Sequence, residues 1–429
     1  MRSRRSRAGG IAARMASAMC LLAPATPALA QYLDPLPSRF PRDRNVDTLV
    51  PGYEAPGVPL GPFIMTPSLA ASALYSDNIY AQEANATDDV ALRIAPSVKL
   101  QSIWPVNKVA VNLTGQFDRF STLKRENAER FDADVTTLLE LSSDTIVRSR
   151  LRWQRLQEPR SSQNAFVQTL EPIRYDMTSS AIGLSHDLNR IRLTGEAAAI
   201  KTNYFNGRLQ DGTALDTRGR DSTALTLRGR IEYAQMPGLS YFLQGTYNDR
   251  DFRPSLSATP QRDSTGYEVL AGVSFEPSAL MRGEIGIGYL AQNFKDPFFH
   301  DYGNLGVRGR LQYYPTRLTT ITLEADRRVE DSGTPLSGAY LSTSLSIKAE
   351  HALLRTLIVT ASADYQADRF NDVDRDDDRY ALGLRAEYQA NRVLSFSASA
   401  SHLNVTSDGL DRYRNFSENR FMAGISIRR

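Results

Sequence analysis

The sequence contains almost no cysteine and no long apolar run. Cys20 is the one cysteine among 429 residues, and no stretch of 18 or more apolar residues occurs. The first scarcity excludes an internal disulfide framework and a cysteine metal site, and the second excludes a membrane-spanning helix. The 27 glycines and 21 prolines are too few and too aperiodic for a collagen-like chain. The negative mean hydropathy does not exclude a membrane β-barrel, because a barrel places its apolar residues at every second position.

Residues 1–30 have the pattern of a cleaved secretory signal peptide. Five arginines form a basic region, residues 15–25 are apolar, and Ala28-Leu29-Ala30 fits a cleavage site before Gln31. An amphipathic transit peptide is the alternative interpretation. Cleavage would remove Cys20 and leave 46 of the 51 basic residues against 48 acidic ones, so the charge balance gives no argument for nucleic acid binding.

Proline is concentrated near the start of the predicted mature chain. Residues 31–67 contain eight prolines, which remove backbone donors and fix φ, so a helix or a central strand is not expected there. We predict that 31–68 is a Pro-rich periplasmic extension, either an inert linker or a partner-binding segment. Pro96 falls inside a predicted strand, where a bulge is expected because proline cannot donate to the ladder.

Strict alternation replaces helical periodicity from Leu69 to Arg429. In 282–294 and 378–390, apolar side chains alternate with polar residues or glycine, which is typical of strands with two different faces. Eight short turns and nine longer loops predict an all-β fold over 69–429, a transmembrane antiparallel up-and-down β-barrel of about eighteen strands, with sixteen as the alternative. A seven-bladed propeller repeats at a similar length, but each blade needs four short strands where this chain has two long ones.

The longer connections are polar and share one side of the predicted barrel. Both ends of the barrel fall on the short-turn side, so the longer loops are predicted to face the cell exterior. None greatly exceeds the 14 residues of 159–172, and none is therefore expected to be long enough to fold inward. They span residues 81–88, 121–130, 159–172, 206–219, 253–263, 295–301, 332–338, 371–377 and 407–414.

The segment from Pro51 to Trp104 is the most distinctive part of the sequence. Leu60-Gly61 and Phe63 with Pro67 precede a strand that ends in the signature residues Tyr75, Asp77, Asn78 and Tyr80. This segment resembles the putative beta-barrel porin 2 family of outer-membrane proteins, and it is similar to alphaproteobacterial members associated with exopolysaccharide export. The resemblance implies an outer-membrane barrel and a role in polymer secretion, and it implies no catalytic residues.

Parity along the strands predicts which charged side chains point into the barrel. On the lipid face each charge would cost about 2–4 kcal/mol near mid-membrane, so inward placement is expected. The Arg148-Arg150-Arg152 ladder repels itself unless an anionic group is near, which favours a pore that engages anionic or hydroxyl-rich solute. The alternative is that mixed charges merely hydrate a polar interior. The candidate lumen-lining residues are Arg148, Arg150, Arg152, Arg192, Arg228, Arg230, Glu232, Glu284, Arg308, Arg310, Glu324, Lys348, Glu350, Arg385 and Glu387.

No group of residues has the spacing of a catalytic or metal site. Ser185-His186-Asp187 contains triad residue types, but consecutive strand residues alternate faces and cannot form a relay. The acidic loop 371–378 has calcium-like spacing without the central glycine and distal glutamate, and is interpreted as a solvated surface loop, with divalent-cation bridging to lipopolysaccharide as the alternative. The histidines, which lack metal-ligand spacing, are His186, His300, His351 and His402.

These patterns predict a porin-like conduit in the cell outer membrane that uses no cofactor, and the family resemblance implies that the conduit serves exopolysaccharide secretion. The expected partners are outer-membrane lipid and lipopolysaccharide, the barrel-insertion machinery, polysaccharide and periplasmic export components, and no nucleic acid. A structural or adhesive barrel with a plugged lumen is the second hypothesis. The third hypothesis is an outer-membrane enzyme that hydrolyses lipid or peptide. The prediction that we adopt is a protein without enzymatic activity.

Overall fold

The computed structural model describes residues 55–165, 169–254, 260–334 and 336–429. The predicted signal peptide and most of the predicted Pro-rich extension lie outside these residues. In the described part of the chain, no helix is long and apolar enough to cross a membrane.

Eighteen long strands account for most of the described chain, and short turns alternate with longer loops between them. The strands, numbered β1 to β18 in chain order, are Phe63–Ser76, Asp89–Ser102, Lys108–Phe120, Ala128–Ser142, Thr145–Gln157, Arg174–Leu188, Ile191–Tyr204, Ser222–Met236, Leu239–Phe252, Ser264–Ser278, Met281–Phe294, Tyr302–Thr316, Thr319–Asp331, Ala339–Leu354, Leu357–Phe370, Asp376–Gln389, Leu394–Asp408 and Phe416–Arg428.

Every strand pairs antiparallel with its neighbours in sequence, and the sheet closes on itself. The closing ladder joins β1 to β18, from Ser68 opposite Arg428 to Ser76 opposite Arg420. A closed sheet has no free edge, so its backbone donors and acceptors are satisfied within the wall. The predicted antiparallel β-barrel of about eighteen strands is confirmed.

The alternation in the sequence separates two faces of the wall. On β8, Leu225, Leu227 and Ile231 are exposed on the outer face, while Arg228 and Arg230 between them point inward and are partly buried. The same division recurs around the barrel, with exposed Leu, Ile and aromatic side chains outside. The outer surface is therefore apolar, as a lipid-facing surface requires.

The first strand begins earlier than the sequence pattern indicated. It starts at Phe63, so residues 63–68 belong to the barrel wall and not to the predicted extension. Pro67 is tolerated because it lies near the end of the closing ladder, where its carbonyl still accepts a hydrogen bond from the Arg429 backbone N–H at 3.0 Å. A three-residue strand, Val58–Leu60, folds back on the start of β1.

The bulge expected at Pro96 is wrong. Strands β2 and β3 keep one register on both sides of this residue, with Ile94 opposite Phe117 and Ser97 opposite Thr114. The ladder between β2 and β3 omits the pairs at Ala95 and Pro96, while Pro96 still lies opposite Leu69 on β1. The missing backbone donor of Pro96 therefore interrupts the pairing of β2 with β3, and neither strand contains an extra residue at this point.

Candidate functional site

The structure places all fifteen predicted lumen residues on the inner face of the barrel wall. Each alternates along its strand with side chains that lie on the apolar outer face. Most of the fifteen form an ion pair with another inward side chain: Arg150, Arg152, Arg192, Arg228, Arg230, Glu232, Glu284, Arg308, Arg310, Glu324, Lys348, Glu350, Arg385 and Glu387.

The arginine ladder on β5 faces two carboxylates on β4. Arg150 Nε lies 2.7 Å from Asp134 Oδ1, and Arg152 pairs with Asp132. Both partners come from the alternating segment 130–135, which also carries Arg130. These two aspartates are not among the predicted lumen residues, although their spacing of two places both on one strand face. The anionic group that the ladder requires is therefore part of the wall itself.

A second ion-pair network spans the inner face from β8 to β11. Arg230 lies 2.7 Å from Glu284 and 3.2 Å from Glu232, and its guanidinium lies 3.8 Å from the centroid of the Phe242 ring. Ser274 on β10 accepts a hydrogen bond from the Arg230 guanidinium at 3.0 Å. The inner wall is thus charged, partly buried and internally neutralised, which suits contact with a polar, hydrated solute.

One long loop crosses the barrel, contrary to the expectation that none would fold inward. We call residues 158–165, which follow β5, the strap. Asn164 Oδ1 accepts a hydrogen bond at 2.9 Å from the backbone N–H of Gly333, which lies in the loop between β13 and β14. Seven strand spacings separate β6 from β13, about 34 Å along the wall at about 4.8 Å each. A direct hydrogen bond over that separation requires the strap to pass through the lumen.

Three arginines hold the strap by its backbone, two from other loops and one from strand β16. We call Arg375, Arg379 and Arg414 the mouth arginines. The Nη2 atom of each donates to a strap carbonyl, that of Gln163 at 3.1 Å for Arg375, and those of Ser161 and Arg160 for the other two. The Tyr413 hydroxyl donates to the carbonyl of Ala165 at 2.6 Å. The strap therefore lies across the long-loop end of the barrel as a fixed segment.

Buried ion pairs anchor the near end of the strap. Arg160 binds Glu126 through two hydrogen bonds of 2.7 and 3.2 Å, and Glu158 binds Arg220 through two of 2.6 and 3.0 Å. Burial alone would lower the pKa of Arg220, but the Glu158 carboxylate outweighs it and holds that pKa above the usual range. Both pairs are bidentate, and they fix the angle at which the strap leaves the wall.

Other arginines at this end donate to backbone carbonyls and have no carboxylate within 4.0 Å among the described residues. Arg262 donates to the backbone carbonyls of Ser332 and Gly219, and burial lowers its pKa to about 10. Burial also lowers the pKa of Arg414. The long-loop end of the barrel is consequently rich in desolvated positive charge.

The signature residues of the first loop close the seam of the barrel. Asp77 accepts from the backbone N–H of Asn419 at 2.7 Å and from its side-chain amide at 2.6 Å. Asn78 is buried and its amide donates to the carbonyls of Ser417 and Gln82, each at 2.9 Å. These bonds join the loop after β1 to the final strand, so the signature has a structural role at the seam.

The two signature tyrosines have different surroundings. Tyr75 lies on the outer face and stacks with Phe421 of the final strand, with ring centroids 6.3 Å apart. Tyr80 lies under the strap, where Arg160 is 5.8 Å from its ring centroid and Arg414 donates to its carbonyl at 3.0 Å. The signature therefore connects the seam to the strap.

The histidines and the acidic loop 371–378 form no recognisable metal site. In the acidic loop, Asp377 is buried against Arg375, and Asp378 pairs with Arg369. The prediction of a fully solvated loop is therefore wrong for Asp377, because its partner belongs to the mouth arginines. Among the described residues, no group of three or more His, Cys, Asp or Glu side chains could hold a metal ion. Each histidine bonds to a neighbouring side chain, namely Thr145 for His186, Asp372 for His300, Thr319 for His351 and Asn419 for His402.

Solved structures with a similar arrangement are outer-membrane proteins of distant sequence. A mutant of the ferric enterobactin receptor PfeA from Pseudomonas aeruginosa is 10% identical, with a TM-score of 0.45 over 84% of this chain and 80% of the other. OccK1 (OpdK) from Pseudomonas aeruginosa is 10% identical, with a TM-score of 0.42 over 85% and 99%. A BenF-like porin from Pseudomonas fluorescens Pf-5 is 9% identical, with a TM-score of 0.44 over 84% and 97%.

Comparison by sequence is more decisive for the family. No curated protein matches the chain significantly. The model of the family described as putative beta-barrel porin 2 matches residues 50–429, which include the whole barrel and its signature. The chain therefore belongs to the putative beta-barrel porin 2 family, as a porin-like barrel of the outer membrane.

Proposed function

We propose that this protein is a porin-like conduit of the outer membrane that serves exopolysaccharide secretion. The observation that carries the proposal is the contrast between the two faces of one wall. The outer face is apolar, and the inner face carries ion-paired arginines and carboxylates on many of the strands from β4 to β16. Such a lining offers many donors and acceptors to a hydroxyl-rich polymer while binding it weakly enough for passage.

The proposed context follows from the resemblance and from the signal pattern. The protein is expected to be cleaved after Ala30, inserted by the barrel-insertion machinery and surrounded by phospholipid and lipopolysaccharide. Periplasmic export components are the partners that would deliver a polymer to the short-turn end. Membership of a porin family favours transport over catalysis, and we therefore propose no enzymatic role.

A structural or adhesive barrel with a plugged lumen is the second candidate. The strap favours it, because the strap crosses the long-loop end and bonds to the opposite wall. The two candidates differ in what happens when the strap is moved. A conduit opens, whereas a purely structural barrel has no need of a pathway beneath the strap.

Two measurements test the conduit. Purified protein in planar bilayers is expected to show discrete conductance in KCl, at least after the strap has been shortened. Deletion of the gene is expected to stop the appearance of a surface polysaccharide while lipopolysaccharide and other porins stay unchanged. A barrel that does not conduct even with a shortened strap would leave the structural role as the better explanation.

A further inference from the structure

The strongest unexplained feature is a pair of buried arginines at the long-loop end. Arg379 and Arg414 are each only 7% exposed. Neither forms an ion pair with any described residue, and the Nε atom of each is buried without a hydrogen-bond partner. Buried guanidinium groups are normally paired with a carboxylate, because an uncompensated buried charge is costly. The guanidinium groups of Arg379 and Arg414 are therefore positioned to donate to an acceptor that does not come from the barrel wall.

The strap backbone occupies the position where such an acceptor would lie. The mouth arginines donate to the carbonyl oxygens of residues 160, 161 and 163, which are neutral acceptors. The bonds from arginine to these carbonyls already have a charged donor, and an anionic acceptor would add the attraction of opposite charges in a buried setting. An anionic ligand that reached this site would compete with the strap for the same donors and would hold them more tightly.

The charge around the site indicates a ligand of low charge density. Arg160 and Arg375 have the carboxylates of Glu126 and Asp377 as partners, whereas Arg379 and Arg414 have no carboxylate within 4.0 Å among the described residues. Asp368 and Asp377 attract Arg379 only from beyond that distance. The three strap carbonyls come from four consecutive residues and so span no more than about 14 Å. Two guanidinium charges over that length suit a chain with single charges spaced along it better than a polyphosphate.

Aromatic rings hold the guanidinium groups of two of the mouth arginines, Arg375 and Arg414, in place. Arg375 lies 5.0 Å and Arg414 lies 4.5 Å from the centroid of the Tyr413 ring. Arg414 also lies 5.3 Å from the ring of Phe416, and Arg375 lies 4.5 Å from that of Phe370. Cation–π contacts hold the two side chains without using their N–H donors. The donors of Arg375 and Arg414 are consequently preorganised, and these two side chains need little ordering when a ligand replaces the strap.

We propose that the mouth arginines form a binding site for a linear polymer that carries carboxylates along a sugar chain. The strap fills this site in the absence of polymer and is displaced when the polymer binds. The proposal rests on the conduit function and names the chemical class of its substrate. It also gives the barrel a closed state that only an anionic chain opens.

Binding is measured on the full-length barrel in detergent, with oligogalacturonate as the probe and dextran of equal length as the neutral comparison. Oligogalacturonate is expected to bind and dextran is not. Arg379→Gln and Arg414→Gln should each weaken binding about tenfold or more, because each removes a charge-assisted donor. Arg412→Gln is the matched control, since Arg412 is two residues from Arg414 but is exposed and pairs with Glu83. Equal affinity in all four proteins would overturn the proposal.

Displacement of the strap is measured with a single thiol. In a Cys20→Ser background, Gln163→Cys places the one thiol on a residue that is 4% exposed, so maleimide should react slowly. Oligogalacturonate should accelerate the reaction and dextran should not. An unchanged rate of the maleimide reaction at saturating oligogalacturonate would refute the displacement of the strap by the polymer.

Two further measurements control for misfolding of the variants and for binding of a different class of anion. Heat-modifiable migration identifies variants that still form a barrel, and Arg379→Lys keeps the charge where Arg379→Gln fails to fold. Lysine lacks the planar fork, so it should recover only part of the affinity. Polyphosphate that binds more tightly than oligogalacturonate at equal charge would overturn the carboxylate assignment.

Conductance separates this inference from the proposed function. A protein that conducts KCl but does not bind oligogalacturonate remains a conduit, and only the substrate class is refuted. A protein that binds oligogalacturonate at the mouth arginines but never conducts has the proposed site without the proposed pathway. The two results are distinguishable because binding is measured without a membrane.

Discussion

At the scale of single residues, the arginine ladder on β5 shows how a wall can carry many charges of one sign. Arg150 and Arg152 are neutralised by Asp134 and Asp132 on the neighbouring strand. The side chains remain partly accessible from the lumen, so their charges still contribute to the potential inside the barrel. The ladder is therefore both a part of the wall and a part of the candidate pathway.

Replacing Arg148, Arg150 and Arg152 with Gln should shift the ion selectivity of the open barrel toward cations. The change removes three positive charges and leaves Asp132 and Asp134 without their arginine partners. Reversal potentials in a KCl gradient measure the shift, which should shrink between 0.1 M and 1 M salt because the Debye length falls from about 10 Å to about 3 Å. Thermal stability should decrease modestly, since partly buried carboxylates lose their partners.

The opposite replacement provides the control. Asp132→Asn with Asp134→Asn leaves the arginines uncompensated and should shift selectivity toward anions. Unchanged reversal potentials in both variants, with normal conductance, would mean that the ladder does not line the conducting path.

Asn78 is a second residue whose effect can be predicted. Its side-chain amide accepts from the Gln82 backbone N–H at 2.8 Å and donates to two carbonyls, all in a buried setting. Asn78→Ala should destabilise the seam by about 1–3 kcal/mol, because buried backbone groups lose their partners. The temperature at which folded migration is lost on gels should fall. Asn371→Ala, which removes one exposed contact of 3.4 Å, should leave that temperature unchanged.

At the scale of elements, the strap differs from the other described loops in its direction. It leaves β5 inward, bonds to loops on the far wall, and is anchored by two buried ion pairs at its near end. The loop between β7 and β8 contains a small exposed hairpin of Gly207–Arg208 with Ala214–Leu215. Two loops of similar polarity therefore take opposite positions, one within the barrel and one outside it.

Deleting residues 160–165 should raise single-channel conductance severalfold, because the remaining loop loses both the Arg160 anchor and the contacts to the far wall. Deleting 210–213 from the exposed hairpin is the matched control and should leave conductance unchanged. Equal conductance in the two variants, with both folded, would show that the strap does not obstruct the pathway.

At the scale of the whole molecule, the alternation of short turns and long loops defines two different ends. Short turns and both ends of the barrel wall lie at one end, and the strap and all nine longer loops lie at the other. The predicted orientation places the longer loops outside the cell.

Epitope tags test the orientation directly. A tag at Asp211-Gly212, at the tip of the exposed hairpin, should be accessible to antibody on intact cells. A tag at Asn189, in the turn between β6 and β7, should become accessible only after permeabilisation. Both proteins should fractionate with the outer membrane and migrate faster before heating than after it. The reverse pattern of accessibility would invert the topology.

The barrel could be predicted from the sequence because its determinants are local. A period of two in 223–233 or 282–294 separates two faces without reference to any distant residue, and the counts of turns and loops set the number of strands. The same parity identified Arg230 and Glu284 as inward residues. The boundary at Phe63 was missed because Pro67 is a weak strand former, and its tolerance depends on the position of Arg429 in the closing ladder.

The strap and the mouth arginines were decided by the tertiary structure alone. Arg379 lies in a strand that reads like the others, and the sequence around Ser161 reads like any polar loop. Whether a polar loop is solvated or enters the barrel depends on donors that come from strands and loops about seven positions away around the wall. Such a contact depends on barrel closure, which brings far strands to within a loop's length, and no periodicity along the chain records it.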